Sequence, residues 1–169
     1  MRVDAVARIA DINWAQATLI GVGGFAVVYR VAPGLVAKVG RVSPEEHDAQ
    51  WVAHAGGLAM AVIDYGLEWP VPAHVRHAFC PRHGPRNAIL PTDVDYCACH
   101  ASGLDVLLMA EADCDLDYDS AEAGRAREAI AALCHSLGRI WDDRPANLAR
   151  DPASGHVVGL DFGQEQDDQ

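Results

Sequence analysis

A loop and a β-hairpin near residue 150 constrain the fold of this chain more than any other feature. Asp142 is followed five positions later by Asn147, and a turn sequence over residues 151–155 then reverses the chain before Asp161. The pattern therefore predicts a β-hairpin that is flanked by the polar side chains of Asp142, Asn147 and Asp161.

Composition narrows the class of protein. The chain has 169 residues, of which 50% are hydrophobic, enough for one domain with a core. Its net charge of -11 argues against nucleic acid or an anionic membrane as the main partner. No apolar run is long enough to cross a membrane, and the first residues lack the apolar stretch of a signal peptide. With five Cys, these features predict a cytoplasmic protein with free thiols or a bound metal.

Hydrophobic periodicity and turn residues predict an α+β fold. In chain order we expect a helix over residues 3–12, strands over 17–21, 26–31 and 35–39, a helix over 43–55, strands over 60–65 and 104–110, a helix over 120–137 and a strand over 157–160. The segment 67–103, rich in Pro, Cys and His, is predicted to be irregular. The helix over 120–137 carries an apolar stripe that comprises Ala126, Ile130, Leu133, Leu137 and Ile140.

A glycine-rich stretch lies between the first two predicted strands. Small residues there allow backbone N–H groups to approach phosphate oxygens, although a hairpin turn in any β protein can have the same composition. No Gly-Lys-Ser/Thr follows, so the stretch is not a Walker A loop. The candidate phosphate-contacting residues are Gly21, Val22, Gly23, Gly24, Phe25, Ala26 and Val28.

Lys38, near the end of the third predicted strand, is the candidate cation for a phosphate group. A strand lysine is commonly a solvated residue, but this one follows a glycine loop and a Pro-Gly turn. Glu46 is the preferred carboxylate partner, and Glu45 is the alternative. Glu46 also completes an N-terminal capping box with Ser43.

These motifs together resemble those of the protein-kinase-like superfamily, including its aminoglycoside-phosphotransferase-like branch. Asp142 and Asn147 match the Asp and Asn of the H-R-D-x-x-x-x-N motif, and Asp161 heads an Asp-Phe-Gly motif. The resemblance implies that Asp142 orients or deprotonates the acceptor hydroxyl, that Asn147 and Asp161 bind Mg²⁺ or Mn²⁺, and that Arg144 contacts the γ-phosphate.

The same resemblance implies an ATP site and a two-lobed domain. Met109 would be the gatekeeper beside adenine, and Ala110 and Ala112 would supply backbone hydrogen bonds to the base. The expected fold is one minimal kinase-like domain over residues 1–169. Its N-lobe, about 14–112, would contain a five-stranded antiparallel sheet, one helix and the insertion 67–103. Its strongly reduced C-lobe, 113–169, would contain one long helix and the catalytic hairpin.

The chain departs from the family pattern at several positions. Ala26 replaces the third glycine of the phosphate loop, and Ile140 and Trp141 replace the His and Arg of H-R-D. Switching by a phosphorylated activation loop is therefore not expected, and few residues follow Gly163 to form one. We expect a homodimer or another partner to cover the exposed face of the reduced C-lobe.

The expected function is ATP- and Mg²⁺-dependent phosphoryl transfer to a hydroxyl of a protein, as in a serine/threonine kinase, or of a small molecule. The alternative is a pseudokinase-type module that binds nucleotide or a partner without turnover, and transfer of a nucleotidyl group is a third reading. Neither a nucleic acid nor a membrane is an expected partner.

The predicted irregular segment has a separate metal-ligand pattern. Cys80 and His83 form C-x-x-H, and Cys97, Cys99 and His100 form C-x-C-H. Zinc takes four such ligands, but incidental thiols and imidazoles in a loop would give the same sequence. The sequence leaves both readings open.

Overall fold

The structure is a computed structural model that describes residues 8–88 and 97–162. These residues form two compact units. The first unit comprises the described residues of 8–42 and 63–109, and the second comprises those of 43–62 and 110–162. The chain is α+β, as predicted.

A five-stranded antiparallel sheet forms the first unit, and this part of the prediction is confirmed. Its spatial order is β1-β2-β3-β5-β4. The strands are β1 (Thr18–Val22), β2 (Ala26–Ala32), β3 (Leu35–Gly40), β4 (Val62–Trp69) and β5 (Leu104–Ala110).

Alternate residues of the central strands face the hydrophobic core of the first unit. Val27 and Tyr29 of β2, and Ala37 and Val39 of β3, are buried in it. A short helix, α2 (Ala73–Phe79), adds Val75 and Phe79 to the same core, and these two residues are almost completely buried. The residues that alternate with these core positions therefore lie on the second face of the sheet.

The second unit is built from two helices and a hairpin. Its elements are α1 (Pro44–Ala55), α3 (Ala121–Ser136), β6 (Leu148–Arg150) and β7 (Val157–Gly159). The Ser43 Oγ accepts a hydrogen bond from the Glu46 N–H at 3.1 Å, so the predicted cap of α1 is confirmed. Side chains of α1, α3 and the hairpin share a core that includes Ala53, Ile130 and Phe162.

Three element predictions need correction. Of the helix expected over 3–12, residues 1–7 lie outside the described residues, and Ile9–Asp11 forms only a short 3-10 helix. The strand expected over 60–65 is β4, which continues to Trp69. Gly66 lies within this strand and marks a close approach, since a Cβ there would lie 2.9 Å from Cε3 of Trp69.

The third correction concerns the segment predicted to be irregular, 67–103. It contains the end of β4, the helix α2 and a 3-10 turn at Pro85–Ala88, whereas residues 89–96 lie outside the described residues. The helix α2 was missed because it follows Pro70 and Pro72 directly and has only seven residues, too few to show a clear helical period.

The helix predicted over 120–137 is α3, and its apolar stripe is only partly buried. Ile130 is fully buried and Leu133 is half-buried, whereas Leu137 and Ile140 are 38% and 49% exposed. None of the helices within the described residues combines the length and apolar character needed to span a membrane.

Candidate functional site

The predicted site residues fall into two sets, one in each unit. The set in the first unit comprises Gly21, Val22, Gly23, Gly24, Phe25, Ala26, Val28, Lys38 and Met109. The set in the second unit comprises Glu46, Ala110, Ala112, Asp142, Arg144, Asn147 and Asp161.

Lys38 shares one face of the sheet with two residues of the glycine-rich stretch. Gly21 is the register partner of Val28 across β1 and β2, and Val28 is the partner of Lys38 across β2 and β3. Directly opposed residues of antiparallel strands lie on the same face. Because Val27 and Val39 point into the core, Lys38 lies on the opposite face.

Met109 also lies on this second face of the sheet. Leu104, Val106 and Leu108 of β5 belong to the core cluster, and Met109 follows them by one position. Strand alternation therefore directs Met109 away from that core. Even so, only 9% of the Met109 surface is exposed. The first unit thus collects a glycine hairpin, a lysine and a buried apolar side chain on one face.

The glycine-rich stretch is a tight turn held by a residue that the sequence did not indicate. The Gly23 N–H donates to the Ala26 carbonyl at 2.8 Å, which closes the β1–β2 hairpin. Arg86 donates through Nε to the Gly23 carbonyl at 3.0 Å and through Nη2 to the Gly24 carbonyl. Arg86 thereby anchors the tip of the turn to the segment after α2.

Arg86 is itself held in place by two contacts with Phe79. Its Nη1 donates to the Phe79 carbonyl at 2.7 Å, and its guanidinium lies 4.2 Å from the centre of the Phe79 ring. Only 4% of Arg86 is exposed. Arginine is usually exposed and is buried only where it has partners. The sequence does not show such partners, so it does not distinguish Arg86 from an exposed arginine.

In the second unit, burial distinguishes the two candidate carboxylates of α1. Glu46 is 3% exposed, whereas Glu45 lies at the surface. A buried carboxylate requires polar or cationic partners, and such a group suits an internal structural or catalytic contact better than a solvated one does. The arrangement favours Glu46 over Glu45 for the predicted role.

The loop before the hairpin is tied together by short hydrogen bonds. The side chain of Asn147 donates through Nδ2 to the Asp142 carbonyl at 2.9 Å. The Asn147 carbonyl accepts from the Leu160 N–H at 2.8 Å. Asn147, itself only 8% exposed, therefore joins the backbone of Asp142 to the residue that precedes Asp161. One side-chain bond and one main-chain bond of Asn147 thus link the loop that holds Asp142 to the end of the hairpin, next to Asp161.

Two buried side chains before this loop strengthen the same connection. Trp141 donates through Nε1 to the Leu160 carbonyl at 3.0 Å, and Arg139 donates through Nε to the Phe162 carbonyl at 2.7 Å. Both are almost fully buried. Trp141, which the resemblance aligned with the Arg of H-R-D, thus anchors the hairpin, a role that sequence reasoning missed.

The neighbouring residues Asp142 and Asp143 have different partners. Asp143 accepts hydrogen bonds from Arg127 at 2.8, 2.9 and 3.1 Å, and one from the Tyr118 hydroxyl at 2.6 Å. Arg127 also lies 4.2 Å from the centre of the Tyr118 ring. The hydrogen bonds from Arg127 lower the pKa of Asp143 from its usual value. Asp143 is therefore engaged structurally on α3.

Asp142 instead forms an ion pair with Arg144 two residues later. The side chain of Arg144 is 60% exposed, so this guanidinium reaches solvent. The contact places the candidate base beside the residue predicted to bind the γ-phosphate. The spacing to Asn147 selected Asp142 over Asp143, and the contacts of Asp143 support the same choice.

Asp161 adopts a left-handed backbone conformation, with φ of 60°. Few residues other than glycine have positive φ, and Asp is among those that tolerate it best. Strained conformations of this kind are concentrated at functional sites. The following Phe162 is buried in the core of the second unit, which fixes the chain at this point, and Gly163 lies outside the described residues.

The two residues predicted to contact adenine lie at the start of the second unit. The Ala110 N–H already donates to the Ala61 carbonyl at 3.0 Å. Any hydrogen bond between Ala110 and a base would consequently use the Ala110 carbonyl as the acceptor. Ala112 is half-buried.

A second group of ligand-type side chains lies in the first unit, away from the glycine hairpin in sequence. Cys80, His83, Cys97 and Cys99 each place one ligand atom within 4.8 Å of all the others. Burial works to raise the pKa of Cys80, but hydrogen bonds from the backbone of Arg82, Ala98 and His83 outweigh it and lower the value to about 6. His100, the fifth candidate, is exposed and does not belong to this group.

Comparison with known proteins adds no family assignment. No protein-family model matches the chain, and no curated protein has significant sequence similarity to it.

Proposed function

We propose that this chain is an ATP- and Mg²⁺-dependent phosphotransferase that acts on a hydroxyl of a protein or a small molecule. The observation that carries the proposal is the hydrogen-bond network at the hairpin. The Asn147 side chain donates to the Asp142 carbonyl, and the Asn147 carbonyl accepts from the Leu160 N–H, so the candidate base and one candidate metal ligand are linked to the residue that precedes the other candidate ligand, Asp161. Such a constellation suits phosphoryl transfer, in which positioning and charge neutralisation supply most of the catalysis.

The donor chemistry of this loop fits Mg²⁺. The Asn147 Nδ2 is committed to the Asp142 carbonyl, which identifies Oδ1 as the amide oxygen for a cation. The Asp161 carboxylate supplies a second hard oxygen ligand. A bound Mg²⁺ would neutralise charge on the phosphate oxygens of the nucleotide.

The remaining residues have separate roles in the proposal. Asp142 accepts the proton of the acceptor hydroxyl while the oxygen of that hydroxyl forms a bond to the γ-phosphorus. The bond between the γ-phosphorus and the β–γ bridging oxygen breaks, which releases ADP. Arg144 has two anionic partners, the Asp142 carboxylate and the γ-phosphate. In the first unit, the sheet face with Gly21, Val28 and Lys38 binds the nucleotide, and Lys38 binds its phosphates.

The test is incubation of the purified chain with Mg²⁺ and ATP labelled on the γ-phosphate, with and without fractionated cell extract as a source of acceptors. Asp142→Asn should lower the rate of label transfer by about 10²–10⁴-fold, because it removes a general base while keeping the shape of the side chain. Asp48→Asn is the matched control, since the Asp48 side chain on α1 is 77% exposed. It should transfer label at the wild-type rate.

Three outcomes would overturn the proposal. Equal transfer by wild type and Asp142→Asn would exclude Asp142 as the base. Transfer of label from the α-phosphate would show nucleotidyl transfer instead. A thermal shift with Mg²⁺ and ATP, but no labelled product and no ADP from the wild type, would establish the non-catalytic nucleotide-binding module.

A further inference from the structure

Three thiols and one imidazole converge on a point after α2. The Nδ1 atom of His83 lies 3.6 Å from Sγ of Cys80, 3.6 Å from Sγ of Cys97 and 3.5 Å from Sγ of Cys99. The Sγ atoms of Cys80 and Cys97 are 3.7 Å apart. The Sγ atom of Cys99 lies within 4.8 Å of the other two sulfur atoms, so the four atoms form a small cluster whose edges can be compared with those of a tetrahedron.

These edges match those of a tetrahedral zinc site. Zn–S bonds of about 2.3 Å and Zn–N bonds of about 2.0–2.1 Å at tetrahedral angles require S···S distances of about 3.8 Å and S···N distances of about 3.5–3.6 Å. The four measured edges agree with these values to about 0.1 Å. Zinc favours this combination of thiolate and imidazole ligands over the oxygen ligands of Mg²⁺.

Two other readings of the cluster explain less. A disulfide would bring two sulfur atoms to about 2.05 Å, and it would leave the third thiol and the imidazole unexplained. The cysteines are all free, and Cys80 and Cys97 are far beyond bonding distance. Incidental loop residues have no reason to place three sulfur atoms at equal distances from one nitrogen.

The surrounding backbone is shaped around the cluster. Cys80 is the C-cap of α2, and the Gly84 N–H donates to its carbonyl at 2.9 Å, which closes the turn that contains His83. A Cβ at Gly84 would overlap the His77 carbonyl, so only glycine permits this close return to α2.

His77 is a neighbour of the cluster rather than a fourth corner. Its Nδ1 lies 3.8 Å from Sγ of Cys99, and its ring is parallel to that of His83 at 6.4 Å. Only His83 approaches all three sulfur atoms. His83 is therefore expected to be a ligand and His77 a neighbour of the site, although the two histidines lie close together.

We propose that Cys80, His83, Cys97 and Cys99 form a structural zinc site. Four protein ligands close the coordination shell, as in structural rather than catalytic zinc sites. Cys80 and His83 come from the end of α2, and Cys97 and Cys99 come from the segment before β5. The ion would therefore join the two ends of the segment that contains Arg86, the residue that holds the glycine hairpin. The site is independent of the proposed phosphotransferase function.

The test is the metal content of the full chain, produced without a His-tag and purified under reducing conditions. We expect about one zinc per chain by elemental analysis. Replacement by Co²⁺ should give the charge-transfer and tetrahedral d–d absorption bands of a cobalt ion with three thiolate ligands. The absence of zinc together with six-coordinate cobalt spectra in the wild type would overturn the proposal, and this measurement requires no variant to fold.

Matched variants then identify the ligands. Loss of a residue that only forms a hydrogen bond to a metal ligand lowers metal affinity by about 10–100-fold. His83→Gln and Cys97→Ser should each lower zinc affinity by more than this, because each removes a ligand. His77→Gln should lower it by at most about 10-fold, and Cys114→Ser, which alters an exposed thiol outside the cluster, should leave it unchanged. Equal affinity of the His83→Gln and wild-type proteins, or equal losses in His83→Gln and His77→Gln, would show that this tetrahedron does not hold the metal.

Discussion

The hairpin of the second unit and the cysteine cluster of the first unit hold their side chains in place by opposite means. At the hairpin, hydrogen bonds to main-chain groups hold the residues in place: the Asn147 side chain donates to the Asp142 carbonyl, the Asn147 carbonyl accepts from the Leu160 N–H, and Trp141 donates to the Leu160 carbonyl. At the cluster, the side chains themselves converge, and a proposed ion makes the connection. The hairpin should therefore keep its geometry without any ligand, whereas the cluster should depend on its metal.

Removal of zinc should produce the largest effect and should affect only one of these two regions. A ligand present at about 1,000 times its Kd stabilises the native state by about 4.1 kcal/mol. For a chain of this length, that corresponds to a fall in Tm of about 8–16 °C on chelation. Differential scanning calorimetry of the wild type with and without a zinc chelator measures the change, and Cys97→Ser is the control that should not respond.

Hydrogen exchange locates the same effect in the chain. After chelation, peptides from 73–86 should lose protection, whereas peptides from 139–162 should keep it, because the Leu160 N–H is bonded to Asn147 within the hairpin. Equal loss of protection in both regions would contradict the difference between them.

Arg86→Met should produce the next largest effect, by releasing the glycine hairpin while leaving the zinc ligands intact. The change removes the donor to the Phe79 carbonyl and the guanidinium above the Phe79 ring. We expect a loss of about 2–4 kcal/mol in the free energy of unfolding, because a buried carbonyl loses its donor and a cation–π contact disappears. Urea denaturation measures it, with the exposed Arg82 changed to Met as the control.

Metal content separates two explanations of that loss. If Arg86 acts on the hairpin alone, Arg86→Met should still bind about one zinc per chain. Loss of zinc in this variant would mean that Arg86 orders the cluster itself.

The two regions also differ in how far sequence could predict them. The turn of the hairpin, the cap at Ser43 and the spacing of Asp142 to Asn147 are local patterns, so sequence predicted the elements they belong to. The metal cluster joins residues 17 positions apart, and sequence offered spacings without their convergence. It also suggested His100, which the fold leaves outside the cluster.

Other residues escaped prediction for physical reasons. Arg86 and Arg139 are buried arginines, whose residue type normally indicates the surface. Trp141 was noticed only as a departure from a motif, since its hydrogen bond to Leu160 requires the hairpin to have formed. The ATP site and its chemistry stay predictions, because local geometry alone does not identify a reaction.

Trp141→Phe should have a smaller effect, confined to the hairpin. The change keeps an aromatic ring and removes the Nε1–H that donates to the Leu160 carbonyl. We expect a loss of about 1–2 kcal/mol in the free energy of unfolding, because a buried acceptor loses its donor. The matched control is Trp51→Phe, since Trp51 is 57% exposed and should change stability by less than about 0.5 kcal/mol. Zinc content should be unchanged in both variants, and a loss of zinc in Trp141→Phe would show that the regions are coupled.

The smallest expected effect concerns the ion pair that fixes Asp143 on α3. The hydrogen bonds from Arg127, and then that from Tyr118, lower the pKa of Asp143 below its usual value, so the folded state favours the charged carboxylate. A group with a lowered pKa in the folded state contributes stability above its unfolded pKa and loses it as pH falls through the folded value. Asp143→Asn should therefore lower Tm slightly near neutral pH, and the difference from wild type should begin to shrink as the pH falls below about 4 and should vanish below the folded-state pKa of Asp143. The effect is small because the Asp143 side chain is 41% exposed and its charge is screened by solvent. Thermal unfolding across this pH range measures it, with Asp142→Asn in parallel; a larger and equally pH-dependent loss in Asp142→Asn would mean that the structural and the proposed catalytic carboxylates had been assigned in reverse.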